Sequence, residues 1–470
     1  MSRNSPPRGE PSTPGPAPAP VRPRTGGPIG VLAGLEGLRA LRHHNYRLFW
    51  AGQAISLIGT QMQRVAQAWL ILTLSNDPAM LGLAATAQYG PVLLFGLFGG
   101  IAADSLPRRR TLIATQAIMM TLAFLLALLA GSGTARVWQV LGIAFLLGCT
   151  TVVYQPTRQA FLKEMVGRDD VVNAIALNSA TVNVTKIVGP AVAGLAIAAF
   201  GVSTAFFLNG LSFIAVIAGL LAMRPRDLHT AAPVAFPRTV PAVVANLAEG
   251  LGYIRGTPQV RLTLAVIGIV STAAINFTVV IPPLARDVLD AGPSGYGFLM
   301  AAAGVGSVTS AIVLAFRGRP GMGLIGAGAI TLGVFEAALA LSDWMPLSLA
   351  CMFVVGLGSV AMSMTANSLI QIAVPDALRG RVMAVYLTVW AGTTPIGGLI
   401  FGGIASVYGV QVSILIGGLI AAATGLIGLL VGRRWGLISG PRRTPASRPG
   451  SGTASIRKTT PGIDATDLPG

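Results

Sequence analysis

The sequence predicts an all-α membrane protein of twelve spanning helices in two pseudo-symmetric six-helix bundles, and three observations predict it. Mean hydropathy is +0.70, with 53% hydrophobic and only 10% charged residues, where a soluble domain carries about 25% charged. Apolar stretches long enough to cross a bilayer, about 20 residues each, recur about twelve times. They fall six and six about one long polar connection, and the two sets resemble each other.

The order along the chain follows from the same criteria. Residues 1–34 are rich in Pro and Gly and lack the apolar core of a signal peptide, so they read as a disordered tail. Residues 35–46, LEGLRALRHHNY, repeat leucine at helical spacing with arginine and histidine between, the pattern of a short amphipathic helix on the membrane surface. Spanning segments are expected near 47–74, 80–103, 111–131, 137–160, 173–200 and 203–223, a first bundle over 47–223. The connection, 224–258, carries Arg224, Arg226, Arg238 and Arg255. A second bundle, 259–433, holds segments near 259–283, 294–316, 321–342, 346–371, 380–406 and 410–433, and 434–470 reads as another disordered tail.

Charge sets orientation and argues against other classes of function. With the N-terminus cytoplasmic, about 28 of the 33 Lys and Arg fall on the cytoplasmic side and only Arg136 and Arg286 on the other, the asymmetry of positive-inside insertion. Both termini and the connection are therefore expected in the cytoplasm. The net charge of +17 is spread over short links and tails and makes no basic face on a folded domain, which argues against nucleic acid as a partner. Histidine occurs only at His43, His44 and His229, outside the spans, and no pair of nucleophile and base is evident, so the chain does not read as an enzyme. Cys149 and Cys351 lie in apolar runs without metal-ligand spacing and read as packing residues. No metal or cofactor is implied. Lys163, Lys186 and Lys458 lie in no phosphate-binding Walker loop, which excludes ATP hydrolysis through such a site.

The halves repeat. With one gap, IAAFGVSTAFFLNGL (197–211) lies on IASVYGVQVSILIGGL (404–419), aligning Gly201 with Gly409, Val202 with Val410 and Leu211 with Leu419; LIATQAI (112–118) lies on LIGAGAI (324–330). Duplicated bundles are the architecture of a transporter that rocks about a site between its repeats. A membrane sensor would need an appended signalling domain, which the Pro, Gly, Ser and Arg tails do not contain.

Polar residues inside a span are costly and face the bundle interior or water. In the first segment Gln53, Ser56, Thr60, Gln63, Arg64 and Gln67 recur at three-to-four spacing on one stripe, expected to face a cavity. In the tenth, Ser359, Ser363, Asn367 and Gln371 are spaced by four. Each uncharged member suits an interhelical hydrogen bond as well as a substrate contact. Arg64 and Lys186 lie near the middles of the first and fifth segments, where an unpaired cation costs at least about 2.5 kcal/mol. Each must face water, pair with a carboxylate or meet an anionic substrate. Arg158 lies nearer the cytoplasmic end of the fourth segment, from where it can snorkel, and ranks below these two. Between the second and third segments, GGIAADSLPRRRTLI (99–113) sets Asp104 and Arg108 to Arg110 in a short link. There Gly99 and Gly100 suit the close approach of another helix, and Asp104 suits the positive N-terminal end of one.

These features together carry a family resemblance. Gly100-x-x-x-Asp104 followed by Arg108-Arg109 resembles the loop motif of the major facilitator superfamily. NYRLFWAGQAISLIGTQM, QPTRQAFL, NSATVNVTKIVGPAVAGL and GYGFLMAAAGVG resemble its branch of enterobactin exporters and macrolide efflux proteins, over about residues 35–433. Ser105 and Pro107 depart from the loop motif, which usually has arginine and glycine there. The resemblance implies a multi-pass protein of the bacterial inner membrane, functional as a monomer, that exports a bulky, partly apolar drug, macrolide or siderophore by proton antiport. An uptake permease of the same fold is the alternative.

The resemblance also assigns residues. The superfamily fold implies that segments one, four, seven and ten surround the path, to which four brings Tyr154, Gln155 and Arg158, seven Asn276 and Phe277, and eleven Tyr386 and Trp390. It sets the start of segment eleven beside Asp104, so that Gly100, Asp104, Arg108 and Arg109 with Arg381 would latch the halves. Gly189, Pro190 and Gly194 resemble the antiporter signature, with Thr185 and Ala193 in two of its glycine places. Proton antiport needs a carboxyl whose environment changes through the cycle. Glu336, deep in segment nine, is the first candidate, although the fold sets that segment on the outside of the bundle, where a structural partner buried against a neighbour is the other reading; Glu164 and Asp170 beside Arg158 are the others.

Overall fold

A computed structural model describes residues 37–167, 169–229, 240–317 and 320–437, and among these it contains helices and no strand. The first half comprises α1 His44–Ser75, α2 Pro78–Ser105, α3 Arg108–Gly131, α4 Val137–Val166, α5 Val171–Phe200 and α6 Val202–Leu221. A connecting helix, Val240–Gly256, precedes the second half: α7 Pro258–Val288, α8 Gly292–Arg317, α9 Met322–Ala340, α10 Met345–Ala373, α11 Asp376–Tyr408 and α12 Val410–Arg434. Eleven helices among the described residues are long and apolar enough to cross a membrane. The 32-residue α1 is long enough but more polar, because glutamines and Arg64 interrupt its apolar run.

Helix pairing repeats between the halves. In the first, α1 packs on α5 and α6, α2 on α4, and α3 on α4 and α6; in the second, α7 packs on α11 and α12, α8 on α10, and α9 on α10 and α12. Each pair recurs six helices later. Contact between the halves runs mainly through α2 with α11 and α5 with α8, which exchange under the same rule. The turns repeat too: Gly201 between α5 and α6 has φ +81°, and Gly409 between α11 and α12 has φ +91°. A side chain at either position would be strained, since this backbone region is open chiefly to glycine.

Small residues set the spacing between helices, as expected where lipid removes the hydrophobic drive for helix association. A Cβ on Gly52 of α1 would lie 2.8 Å from the Ala215 carbonyl oxygen of α6, and one on Gly333 of α9 would lie 2.3 Å from that of Gly418 in α12. Helix α7 is interrupted at Ile275 and Asn276 and closes with a π turn, Leu284–Val288, after Pro282 and Pro283.

Two expected segments differ. Residues 39–42 of the proposed surface helix form a 3-10 turn, and His44 to Tyr46 already belong to α1. The cause is polar anchoring: Asn173 of α5 accepts from the Ala40 amide at 2.9 Å and donates to the Gly37 carbonyl at 2.9 Å, which fixes the chain in a turn. The connection contains the helix Val240–Gly256. The tails, 1–36 and 438–470, lie outside the described residues, as do 230–239.

Candidate transport site

The polar stripe of α1 divides in two. At 100° per residue, Gly52, Ser56, Gly59 and Gln63 fall on the face toward α6. Gln63 accepts a hydrogen bond from Asn209 Nδ2, and a Cβ on Gly59 would stand 2.6 Å from Ser212 Oγ. Gln63 is thus a packing bond within the first half and leaves the expected cavity set, because a small rotation along the stripe brings a different neighbour. Gln53, Thr60, Arg64 and Gln67 lie about 80° further round. Gln53 Nε2 donates to the Tyr154 hydroxyl of α4 at 2.8 Å, and Thr60 donates to the Ser56 carbonyl of its own helix. Arg64 and Gln67 line a cleft completed by Gln88 and Tyr89 of α2 and Thr278 of α7.

Two cations of the spans, Arg64 and Lys186, face this side of the first half. Arg64 Nη1 donates to Gln61 Oε1 at 2.8 Å, which folds the guanidinium back along α1. On α5, Gly189 faces α1, its Cβ position 2.4 Å from Gln61 Cβ, while Pro190 and Gly194 face α8. Lys186 lies between those two faces on the helical wheel and so faces the seam between the halves. Arg64 is the charge that acts on it. Neither cation has an ion-pair partner among the described residues.

Other expected cavity residues are placed less uniformly. Arg158 does not snorkel: it is 8% exposed, donates to Asn178 Oδ1 of α5, and keeps a buried Nε without a partner among the described residues. Asn276 is 3% exposed at the break in α7, donates to the Thr272 carbonyl, and abuts Gly397 of α11. It packs between two helices and does not stand open to the path. On α10, Ser359, Ser363 and Asn367 are half-buried and Gln371 is exposed. Gln371 donates to Asn367; on α11 Tyr386 is buried, and Trp390, one turn on, is 37% exposed.

The halves approach most tightly away from the arginine-rich helix ends. A Cβ on Gly297 of α8 would lie 2.4 Å from the Pro190 carbonyl oxygen, and one on Gly194 would lie 2.8 Å from that of Pro293. Across the other contact, a Cβ on Gly82 of α2 would lie 2.1 Å from the Gly398 carbonyl oxygen of α11, and Thr86 donates to the Pro395 carbonyl at 3.1 Å. Residues Pro395, Gly397, Gly398 and Gly402 of α11 are thus the counterpart of the signature on α5. Proline and glycine clustered in a span were the signal that could have marked them.

At the arginine-rich end several expected roles change. Arg108 pairs with Glu164 of α4, and Arg109 donates to the Leu220 and Leu221 carbonyls at 2.7 and 3.0 Å, where a cation complements the end of α6. Both bonds stay inside the first half, so these arginines fasten α3 to α4 and α6 and do not by these bonds span the seam. Gly99 makes the close helix approach, against the Val152 carbonyl oxygen of α4; a Cβ on Gly100 would meet nothing within 4 Å. Arg381 pairs with Glu249 of the connecting helix. The side chain of Asp104 lies outside the described residues.

The three carboxyl candidates separate clearly. Glu164 is paired, as above. Asp170 accepts from His43 Nε2 at 2.8 Å and pairs with Arg39 Nε at 3.1 Å. The His43 hydrogen bond, opposed by partial burial and aided by Arg39 and Arg42, holds its carboxyl below the usual carboxylate range. A carboxylate so held is a poor proton carrier near neutral pH, so Asp170 leaves that role. Its stabilising contribution is fully present above the ordinary value of 3.8 and is lost as pH falls through the lowered one. Asp170→Asn is therefore expected to free the turn at neutral pH, read as faster maleimide labelling of Ala40→Cys, a position buried in the native turn. Glu336 of α9 is 2% exposed against Gly418 of α12, and its Oε2 has no hydrogen-bond partner among the described residues.

Comparison with known proteins agrees with this architecture. The transmembrane secretion effector family matches residues 36–436. The staphyloferrin A transporter of Staphylococcus aureus is 23% identical over 77% of this chain and 90% of its own. The multidrug efflux pump Tap of Mycolicibacterium fortuitum is 27% identical over 76% and 88%, and the enterobactin exporter EntS of Shigella boydii is 25% identical over 77% and 86%. Among solved structures, a bacterial homolog of the human lysosomal transporter Spinster, inward-facing and unoccupied, superposes with a TM-score of 0.67 at 13% identity, covering 83% of this chain and 97% of that one. The nucleoside transporter NupG does so with a TM-score of 0.66 at 12% identity, over 82% and 98%. With its duplicated bundles and its match along nearly the whole helical region, the chain belongs to the transmembrane secretion effector family of major facilitator transporters.

Proposed function

We propose that this chain exports a bulky, partly apolar small molecule bearing an anionic group, of the drug or siderophore kind, by alternating access of its two halves. The observation that carries the reading is the pair of cations, Arg64 and Lys186, facing the seam without ion-pair partners among the described residues. Two such charges inside a membrane are expensive unless the working cycle brings them an anion. Relatives named for siderophore transport and for multidrug efflux support the substrate class. Apolar helix surface around a few polar groups suits binding and release of a substrate more than its chemical conversion.

The positive-inside asymmetry supports a bacterial inner membrane location with the arginine-rich helix ends and both termini in the cytoplasm. The tight glycine contacts then lie on the outer side, as in a state drawn together there. The chain carries a complete pair of halves, which supports function as a monomer. In this reading Thr60, Gln67, Ser363, Asn367, Gln371 and Trp390 line the path, Gln53 and Tyr154, buried and bonded to each other, pack behind it, and the close packing of Gly189, Pro190 and Gly194 keeps the α5 contacts tight while the halves tilt. The latch joins Asp104 to the start of α11 near Arg381. Asp104→Asn is expected to raise labelling of cysteines at the cytoplasmic end and to reduce efflux severalfold; unchanged labelling and efflux would remove the latch.

Proton antiport supplies the energy in this reading, with Glu336, whose buried oxygen lacks a partner among the described residues, as the carrier. The test is accumulation of labelled drugs and siderophores in cells with and without the chain, with and without an uncoupler. Lower accumulation of anionic compounds, reversed by the uncoupler, is expected. Higher accumulation would make the chain an uptake permease. Glu336→Gln is expected to cut uncoupler-sensitive efflux at least tenfold with normal membrane levels, and full activity would move the proton elsewhere.

A further inference from the structure

A second site lies at the arginine-rich end of the first half, away from the seam. A pocket of about 460 Å³ opens between the turn before α1, the end of α4 and the segment after α6. Arg42, His43, His44, Arg226, Asp227 and His229 line it. The whole 470-residue chain has three histidines, and all three line this one pocket.

Its walls are fixed from three sides. Asn45 of α1 accepts from the Arg224 amide at 2.8 Å and donates to the Arg224 carbonyl at 2.8 Å. The His229 amide donates to the Glu164 carbonyl of α4 at 2.8 Å, and His43 is bonded to Asp170 at the start of α5. Neither Arg42 nor Arg226 has an ion-pair partner among the described residues. With a single carboxylate, Asp227, against two guanidinium groups and the imidazoles, the lining is net positive. No three metal-ligating groups converge among the described residues, so the histidines do not make a cation site.

We infer that this pocket binds a phosphate-bearing anion, with Arg42 and Arg226 gripping the phosphate and His44 donating to it, while His229 donates from Nδ1 to the Glu164 carbonyl and forms part of the wall. Guanidinium forks match phosphate oxygens in geometry and charge. The volume exceeds what a bare tetrahedral anion fills, leaving room for an attached glycerol or sugar. The pocket stands beside the first apolar turn of α1, where Leu48 and Phe49 begin the span, at the depth of lipid phosphates on the cytoplasmic leaflet if the orientation above holds. The same grip would take the phosphate of a soluble ester.

Native mass spectrometry of the purified full chain, offered equal phosphatidylglycerol and phosphatidylcholine, tests the lipid source. Thermal melting with inorganic phosphate or glycerol phosphate in lipid-free micelles tests the soluble one. One retained phosphatidylglycerol is expected, with at least tenfold less in Arg42→Gln/Arg226→Gln, partial retention in Arg42→Lys/Arg226→Lys, and no change in Arg433→Gln/Arg434→Gln at another basic helix end. The milder His44→Gln, expected to lose about threefold, keeps the test open should the arginine variant fold poorly. Stabilisation by soluble phosphate, abolished by the same variants, would assign a soluble ester in place of the lipid. The inference falls if wild type shows neither retention nor stabilisation, or if the Arg433/Arg434 control loses as much as the pocket variants.

Discussion

Gly297→Leu is expected to reduce efflux to the level of cells lacking the chain while leaving the protein in the membrane. A Cβ at Gly297 would stand 2.4 Å from the Pro190 carbonyl oxygen and 2.9 Å from Gly194 Cα. Both are backbone atoms, so no side chain can rotate aside. Overpacking costs roughly 1–3 kcal/mol even where neighbours relax, and each 1.4 kcal/mol is a factor of about ten in a two-state equilibrium. In alternating access that penalty falls on the state in which α5 and α8 are in contact and is relieved in the state that parts them. The larger side chain therefore holds the halves apart at this end and stops the cycle. Gly194→Leu and Gly82→Leu are expected to act alike. The control is Gly403→Leu on α11, where a Cβ meets nothing within 4 Å although one on its neighbour Gly402 would lie 3.1 Å from the Pro78 carbonyl oxygen. Cysteine accessibility at both helix ends, measured with efflux, separates arrest in one state from loss of fold; efflux at the wild-type rate in Gly297→Leu would refute the account of this contact.

The helices and their duplication were legible because both rest on local pattern. Runs of about 20 apolar residues announce spans directly, and Gly201 and Gly409 aligned in sequence before they were seen to share one backbone conformation. The stripe on α1 was legible as a stripe but not as two faces. Gln63 and Thr60 differ by 300° on the wheel, a modest angle apart, and only the position of Asn209 shows that one of them serves α6. Arg158 read as a snorkelling cation because sequence gives depth along a helix and no partner; Asn178 of α5 supplies one. Arg108 and Arg109 looked like a unit because they are adjacent. In the fold, successive residues on a helix point 100° apart, so one reaches Glu164 on α4 and the other the end of α6. Distances in sequence say which residues share a helix face, while partners from other helices come only with the packing.

Arg64→Gln together with Lys186→Gln is expected to abolish export of anionic substrates at least tenfold more strongly than export of neutral ones, and to make the protein more resistant to heat. Both results come from one cause. Two like charges beside a membrane cleft repel each other, and neither has an ion-pair partner among the described residues to offset the other. Glutamine keeps hydrogen-bonding capacity and much of the volume while removing that repulsion and the cost of holding a cation in the span. Stability gained by relieving a strained functional site and activity lost with it is the ordinary exchange at binding sites. An anion entering between Arg64 and Lys186 would relieve the same repulsion reversibly, which ties substrate charge to the energetics of the loaded state. The single changes discriminate further: Lys186→Gln leaves Arg64 bonded to Gln61 and should retain weak anion export, whereas Arg64→Glu sets a carboxylate opposite Lys186 and should shift the preference toward cationic compounds. Melting temperature and the ratio of anionic to neutral efflux are the two readouts. If the double variant melts at the wild-type temperature and keeps the wild-type charge preference, the two cations face lipid headgroups or water and not the substrate.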